Sequence, residues 1–214
     1  MGSGADFPFS VHRSPFTIRR LGLRNYVPVW QQMKEFTLAR DADTPDELWQ
    51  VEHPSVYTLG VAARPEHLPR TDNGIALVKS DRGGQITYHG PGQIVIYALL
   101  DLRRRHLGVR ALVRKLEQAV IELLESYRID AKASEDAPGV YVDGAKIAAL
   151  GLRVRNGCCY HGLSLNVDMD LTPFAAINPC GYPGLEVTQL RDLGVADPAE
   201  TVAGKLLDRL AAGI

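Results

Sequence analysis

Between Lys79 and Asp101 the chain reads KSDRGGQITYHGPGQIVIYALLD, with four glycines inside ten residues and apolar runs on either side. IALV precedes this segment and IVIYALL follows it. Both runs are short, rich in β-branched residues and bounded by turn residues, so both are expected to be buried strands. Glycines between them mark places where the backbone turns sharply or another group comes close. One arginine (Arg82) and one histidine (His89) are thus carried on a crossing held between core strands. That is one way to build a rigid site, and an ordinary interstrand loop is the alternative.

A chain of 214 residues can bury a substantial core as one large domain or two small ones, and its 45% hydrophobic and 23% charged composition is that of a globular protein. A net charge of −1 gives no electrostatic signal for nucleic acid or an anionic membrane. No apolar run has the length of a membrane span. Three cysteines, two of them adjacent, do not form a disulfide framework, so a reducing, cytoplasmic setting is expected. Residues 1–12 are read as a flexible lead or partly an expression scar, which leaves 13–214 as one domain without a Pro-, Gly- or Ser-rich linker.

Phe16 to Leu23 is expected to be a strand. Val27 to Arg40 has helical spacing with Val27, Trp30, Met33 and Phe36 on one face. In DADTPDE, Asp43 or Thr44 would cap and Pro45 would take a first helical position. LWQVEH, SVYTLG and GIALVKS are short apolar pieces. Val109 to Tyr127 carries a continuous apolar stripe from Val109 through Leu116 to Tyr127, a helix to which scaffolding and no chemistry is assigned. Asp143-Gly144 and Asn156-Gly157 predict tight hairpin turns within a meander from Ala137 to Val167. LTPFAAI and VTQLRDLG are expected as short helices. A last amphipathic helix, with Asp197 as its cap, would bury Val202, Leu206, Leu207 and Leu210. Strands arriving mostly in hairpin-like series point to an α+β fold with a largely antiparallel or mixed sheet.

Four residues carry open chemical readings. Cys180, in NPCG, lies in a loop next to a permissive glycine, where a sulfur can be exposed and backbone N–H groups can meet an oxyanion; a structural role is the alternative. Lys146 opens the apolar run AKIAALG. Either it escapes at a sheet edge, or burial drives its pKa from ~10.4 towards neutrality and makes it a proton carrier that favours a nearby thiolate. His89 is a hydrogen-bonded wall residue or a general base, and Arg82 clamps an anion or pairs with Asp81 or Asp101. Cys158 and Cys159 occupy a strand-like run in which at least one should be buried and inert. No CxxC or HxxxH spacing suggests a metal, and no phosphate-loop motif is present.

The stretches DRGGQITYHGPGQIVIYALLDL, GVYVDGAKIAALGLRVRNGCCYHGLSLNVD and INPCG followed by VTQL resemble, in that order, the lipoyl(octanoyl) transferase family. These are octanoyl-[acyl-carrier-protein]:protein N-octanoyltransferases. The resemblance implies a fold like that of biotin protein ligases and lipoate–protein ligases, with 13–214 as a single acyltransferase catalytic domain. It implies an acyl-accepting cysteine at Cys180 and a catalytic lysine at Lys146. It also implies an acyl pocket formed by Arg82, Gly83, Gly84, Gln85, Ile86, Thr87, Tyr88 and His89, by Ala149, Leu150 and Gly151, and by Gly162, Leu163 and Ser164. The implied donor is octanoylated acyl carrier protein, whose phosphopantetheine arm supplies the thioester, so no resident cofactor or metal is expected. The implied acceptors are lipoyl domains of 2-oxoacid dehydrogenases and the glycine cleavage H protein. An ATP-dependent lipoate–protein ligase, an octanoyl amidotransferase and a non-catalytic acyl- or lipoyl-domain-binding module are the competing readings.

Overall fold

The computed structural model describes residues 16–69, 73–134, 137–178 and 184–214. A seven-stranded sheet is built from β1 (Thr17–Leu23), β2 (Glu47–Glu52), β6 (Gln93–Asp101), β10 (Cys158–Asn166), β9 (Ala145–Arg155), β8 (Gly139–Val142) and β7 (Lys132–Ala133), in that spatial order. Only β1 and β2 run parallel, joined through helix α1 (Tyr26–Ala39); the other pairs are antiparallel. A second sheet of three strands has the order β4 (Ala76–Lys79), β3 (Val56–Leu59), β5 (Ile86–His89). The fold is therefore α+β with mixed, mostly antiparallel sheets, as the strand pattern predicts.

The apolar run at Ile94–Leu100 is continuous because its two faces are buried in different cores. Ile94, Ile96, Ala98 and Leu100 pack with α2 (Val109–Ser126) and α3 (Ala199–Gly213), whereas Val95, Tyr97 and Leu99 pack with Val29 and Met33 of α1. A strand with period-two side chains and helices on both faces needs apolar residues at every position. Asp143-Gly144 and Asn156-Gly157 form the tight turns flanking β9, with φ of 49° and 88° in the first and 51° and 77° in the second, which is the geometry that favours an Asx-Gly pair.

Several expectations are corrected. The run IALV is an exposed edge strand of the small sheet, because β3 covers only one of its sides. Helix α1 buries Tyr26, Val29, Met33 and Thr37, a face rotated from the expected one, and Val27 is exposed. No helix follows DADTPDE: the Asp41 carboxylate accepts the N–H groups of Asp43 and Thr44 in a local turn, and β2 begins at Glu47. Asp197 does not cap α3; its carboxylate accepts Tyr127 Oη–H at 2.8 Å and Lys205 Nζ at 2.8 Å. In VTQLRDLG only Arg191–Leu193 forms a turn of 3₁₀ helix, since Val187 bridges to Lys146 in parallel strand fashion.

Candidate active site

The register of β9 and β10 brings two of the expected pocket segments together. Gly162 faces Gly151, Leu163 faces Leu150 and Ser164 faces Ala149 across one antiparallel ladder. The glycine-rich loop docks onto that ladder: Gly83 N–H donates to the Leu152 carbonyl at 2.9 Å. A Cβ on Gly151 would come within 2.9 Å of the Gly83 carbonyl oxygen, so this approach of two backbones requires glycine.

The three segments line a cleft of about 480 Å³, its open mouth included. Arg82, Gly84, Gln85, Ile86, Thr87, His89, Ala149, Leu150, Gly151, Gly162, Leu163 and Ser164 all line it, joined by Tyr26, Val95, Tyr97 and His161. Two expected residues do not. Gly83 is used in the docking contact, and the Tyr88 ring turns into a separate cluster with Tyr57 and Phe174, at centroid distances of 5.6 and 5.4 Å. A narrower recess of about 280 Å³ shares Thr87, Ala149 and Ser164 with the cleft and reaches Lys146, Asn166, Phe174 and Val187.

Lys146 is 3% exposed and lies on β9, an interior strand with β10 on one side and β8 on the other, so it is not an edge lysine. Its Nζ donates to the Pro138 carbonyl at 3.1 Å and sits 5.0 Å from the centre of the Tyr141 ring. Its backbone is fixed by residues that follow NPCG in the sequence: Lys146 N–H donates to Glu186 O at 2.8 Å, and Thr188 N–H donates to Lys146 O at 3.0 Å. Cys180 lies outside the described residues. Cys158 and Cys159 are both buried as free thiols, and burial pushes the Cys159 thiol up to about 12, so it is not a nucleophile near neutral pH.

Arg82 is turned inwards. Its guanidinium donates to Thr58 Oγ1, to the Thr58 and Gln85 carbonyls and to the Gly83 carbonyl at 2.6 to 3.0 Å, which folds the loop around it. Asp81 is engaged by Trp30, Tyr160 and His161, and Asp101 lies beside Arg103. His89 is a wall histidine: Nδ1 bonds Gln93 Oε1 at 2.7 Å, and burial drives its pKa down to about 3. Burial would raise the Asp81 carboxyl, but the bonds from His161, Tyr160 and Trp30 outweigh it and hold that group well below the usual range.

The lipoyl protein ligase A/B catalytic domain model matches residues 25–211. An octanoyltransferase of Azoarcus sp. (strain BH72) is 60% identical over 208 residues, 97% of this chain and 92% of that protein. An octanoyltransferase of Nitrosospira multiformis is 60% identical over 199 residues, 93% of this chain and 92% of that protein. The chain belongs to the octanoyltransferase family. As a member of that family it is an acyltransferase. Its fold is shared with solved ligases. A lipoate-protein ligase A bound with ATP superposes with a TM-score of 0.74 at 16% identity, covering 92% of this chain and 85% of that one. A biotin protein ligase from Aquifex aeolicus gives 0.58 at 14% identity, covering 92% and 69%.

Sequence reasoning did not select Tyr26, Tyr97 and His161 for this octanoyltransferase-family cleft. Tyr26 arrives from the first turn of α1, remote in sequence, and Tyr97 is hidden in an apolar run. His161 carried a local signal, since it immediately precedes Gly162 in the quoted motif; it adopts φ 63° within β10, a conformation that is unusual for a non-glycine residue.

Proposed function

We propose that the chain transfers an octanoyl group from octanoyl-acyl carrier protein to a specific lysine of apo lipoyl domains, through a thioester on Cys180 with Lys146 as acid and base. The acceptors are the lipoyl domains of 2-oxoacid dehydrogenases and the glycine cleavage H protein. The observation that carries this reading is a mostly apolar cleft beside a smaller recess, which shares Thr87, Ala149 and Ser164 with it and is lined by a buried lysine on an interior strand. Phe174 and Val187, which bracket Cys180 in the sequence, both line that recess.

Lys146 takes the proton of Cys180, and the thiolate attacks the thioester carbon at the end of the donor's phosphopantetheine arm. Collapse of the tetrahedral adduct breaks the bond to the carrier sulfur, which leaves with the proton from Lys146. The acceptor amine then attacks octanoyl-Cys180, Lys146 receives the proton lost by nitrogen, and that proton passes to the departing Cys180 sulfur. A base is needed because an amine of pKa ~10.4 is neutral in only about one molecule in 2,500 at pH 7, a deficit of roughly 4.6 kcal/mol. Chain-length choice follows from pocket depth, each buried CH₂ contributing about 0.8 kcal/mol.

Mass spectrometry after mixing with octanoyl carrier protein, without ATP, is expected to show one octanoyl adduct mapped to Cys180 and none on Cys158 or Cys159. The adduct should pass to an added apo lipoyl domain. A Cys180→Ser variant that transferred octanoate at the wild-type rate, or product formation that required ATP and Mg²⁺, would overturn the reading.

A further inference from the structure

Helix α2 buries one charged side chain, Glu117, which is 5% exposed and faces the sheet among leucines. Its Oε1 accepts Gly139 N–H at 2.9 Å. The carbonyl of that same peptide unit, Pro138 C=O, accepts Lys146 Nζ at 3.1 Å. One peptide dipole is therefore clamped between a carboxylate at its N–H end and an ammonium at its C=O end, the alignment in which each hydrogen bond strengthens the other. Gly139 allows the clamp: a Cβ there would lie 2.8 Å from Lys146 Cε and 3.0 Å from Nζ.

We propose that Glu117 is a positioning residue for the acyl transfer, acting through the Pro138–Gly139 peptide to aim the Lys146 amine into the recess and to hold its protonated form. This rests on the acyl-transfer role given above to Lys146. Charged and polar groups among the described residues act on the pair. Lys146 meets the Tyr141 ring, whose hydroxyl donates to Ala137 O, and the Glu117 charge; Arg114, on the same helix, acts on Glu117. Burial raises the Glu117 carboxyl, while Gly139 N–H, Lys146 and Arg114 favour its charged form. A carboxylate that acts on the amine through this peptide favours the ammonium, so removing the charge should make Lys146 give up its proton at lower pH.

The test uses the isolated octanoyl-enzyme in a single-turnover aminolysis by apo lipoyl domain across pH, a state in which Cys180 carries no proton and the rising limb reports the amine. In Glu117→Gln, which can still accept Gly139 N–H, the limb is expected to move to lower pH by about one unit, while Glu117→Asp, which keeps the charge, retains the wild-type limb. A Gln variant with an unmoved limb, or an Asp variant displaced as far as the Gln variant, would overturn the role of Glu117. Failure of the wild type to form the octanoyl adduct would instead overturn the acyl-transfer reading itself.

Discussion

At the scale of single residues, Lys146 shows how far spacing alone carries. An amine at the head of AKIAALG is readable as either an edge gatekeeper or a desolvated base, and only the strand order, with β9 between β10 and β8, separates the two. Glu117 was unreadable for the opposite reason. It falls among charged residues that mostly face water, and the partner that accounts for its burial, Gly139 N–H, lies across a turn of chain that periodicity cannot place. Arg82 gave a third kind of difficulty, since the carbonyls of its own loop compete with any carboxylate for its donors. A buried amine costs desolvation energy, and such a group is retained where it has work to do. Lys146→Met, of similar volume and without charge, is thus expected to lower single-turnover octanoyl transfer by about 10²–10⁴-fold. A melting curve and a quenched-flow assay on the same preparation separate lost chemistry from lost folding, and a folded Met variant that transferred octanoate at the wild-type rate would speak against the role of Lys146.

At the scale of elements, the hairpins of the meander were legible because Asx-Gly pairs carry their own turn geometry, and α2 and α3 because their stripes are long. What sequence missed were elements decided by distant partners. The face of α1 is set by packing on Trp49 and Tyr97, and its first-turn Tyr26 by a hydroxyl contact with Ser80 at 2.8 Å. The stretch VTQL, after NPCG, reads as helix in the sequence; its backbone instead pairs with Lys146, and Asn166 Nδ2 donates to Thr188 O at 3.0 Å. That pairing ties the chain leaving Cys180 to the strand that bears the lysine. Thr188→Pro removes the N–H that reaches Lys146 O, a loss of about 1 kcal/mol in pairing. Hydrogen exchange across residues 145–150 is expected to accelerate, and the rate of Cys180 octanoylation to fall, with the remaining sheet protected as before. Equal acceleration throughout the sheet would mean that the segment supports the whole fold and not the site.

For the whole molecule, the α+β class and the pocket-forming segments were accessible from sequence, but the buried polar floor of the cleft was not, because it is assembled from three strands, a helix and the connection after β2. His53 donates Nδ1–H to Arg24 O at 2.6 Å and accepts the Tyr97 hydroxyl on Nε2 at 2.7 Å, an arrangement that suits the neutral ring. Its ring lies 5.9 Å from that of His89. Burial lowers His53 to about 4 and His89 to about 3, against an ordinary value of 6.5. Between those limits the unfolded chain binds protons that the native protein refuses, so stability is present in full above pH 6.5 and is lost as pH falls towards 4 and then 3. Each group contributes a slope of up to ~1.4 kcal/mol per pH unit, about 2.7 for the two together. Urea unfolding followed from pH 8 to pH 4.5 is expected to show a flat upper limb and a steep loss below pH 6.5. His53→Gln, titrating no longer at that position, should make the loss shallower, with His89 and the likewise lowered, buried His161 carrying the rest. A profile flat down to pH 4.5 would require both rings to accept protons in the native state, and the neutral hydrogen-bonded floor beneath the cleft would have to be redrawn.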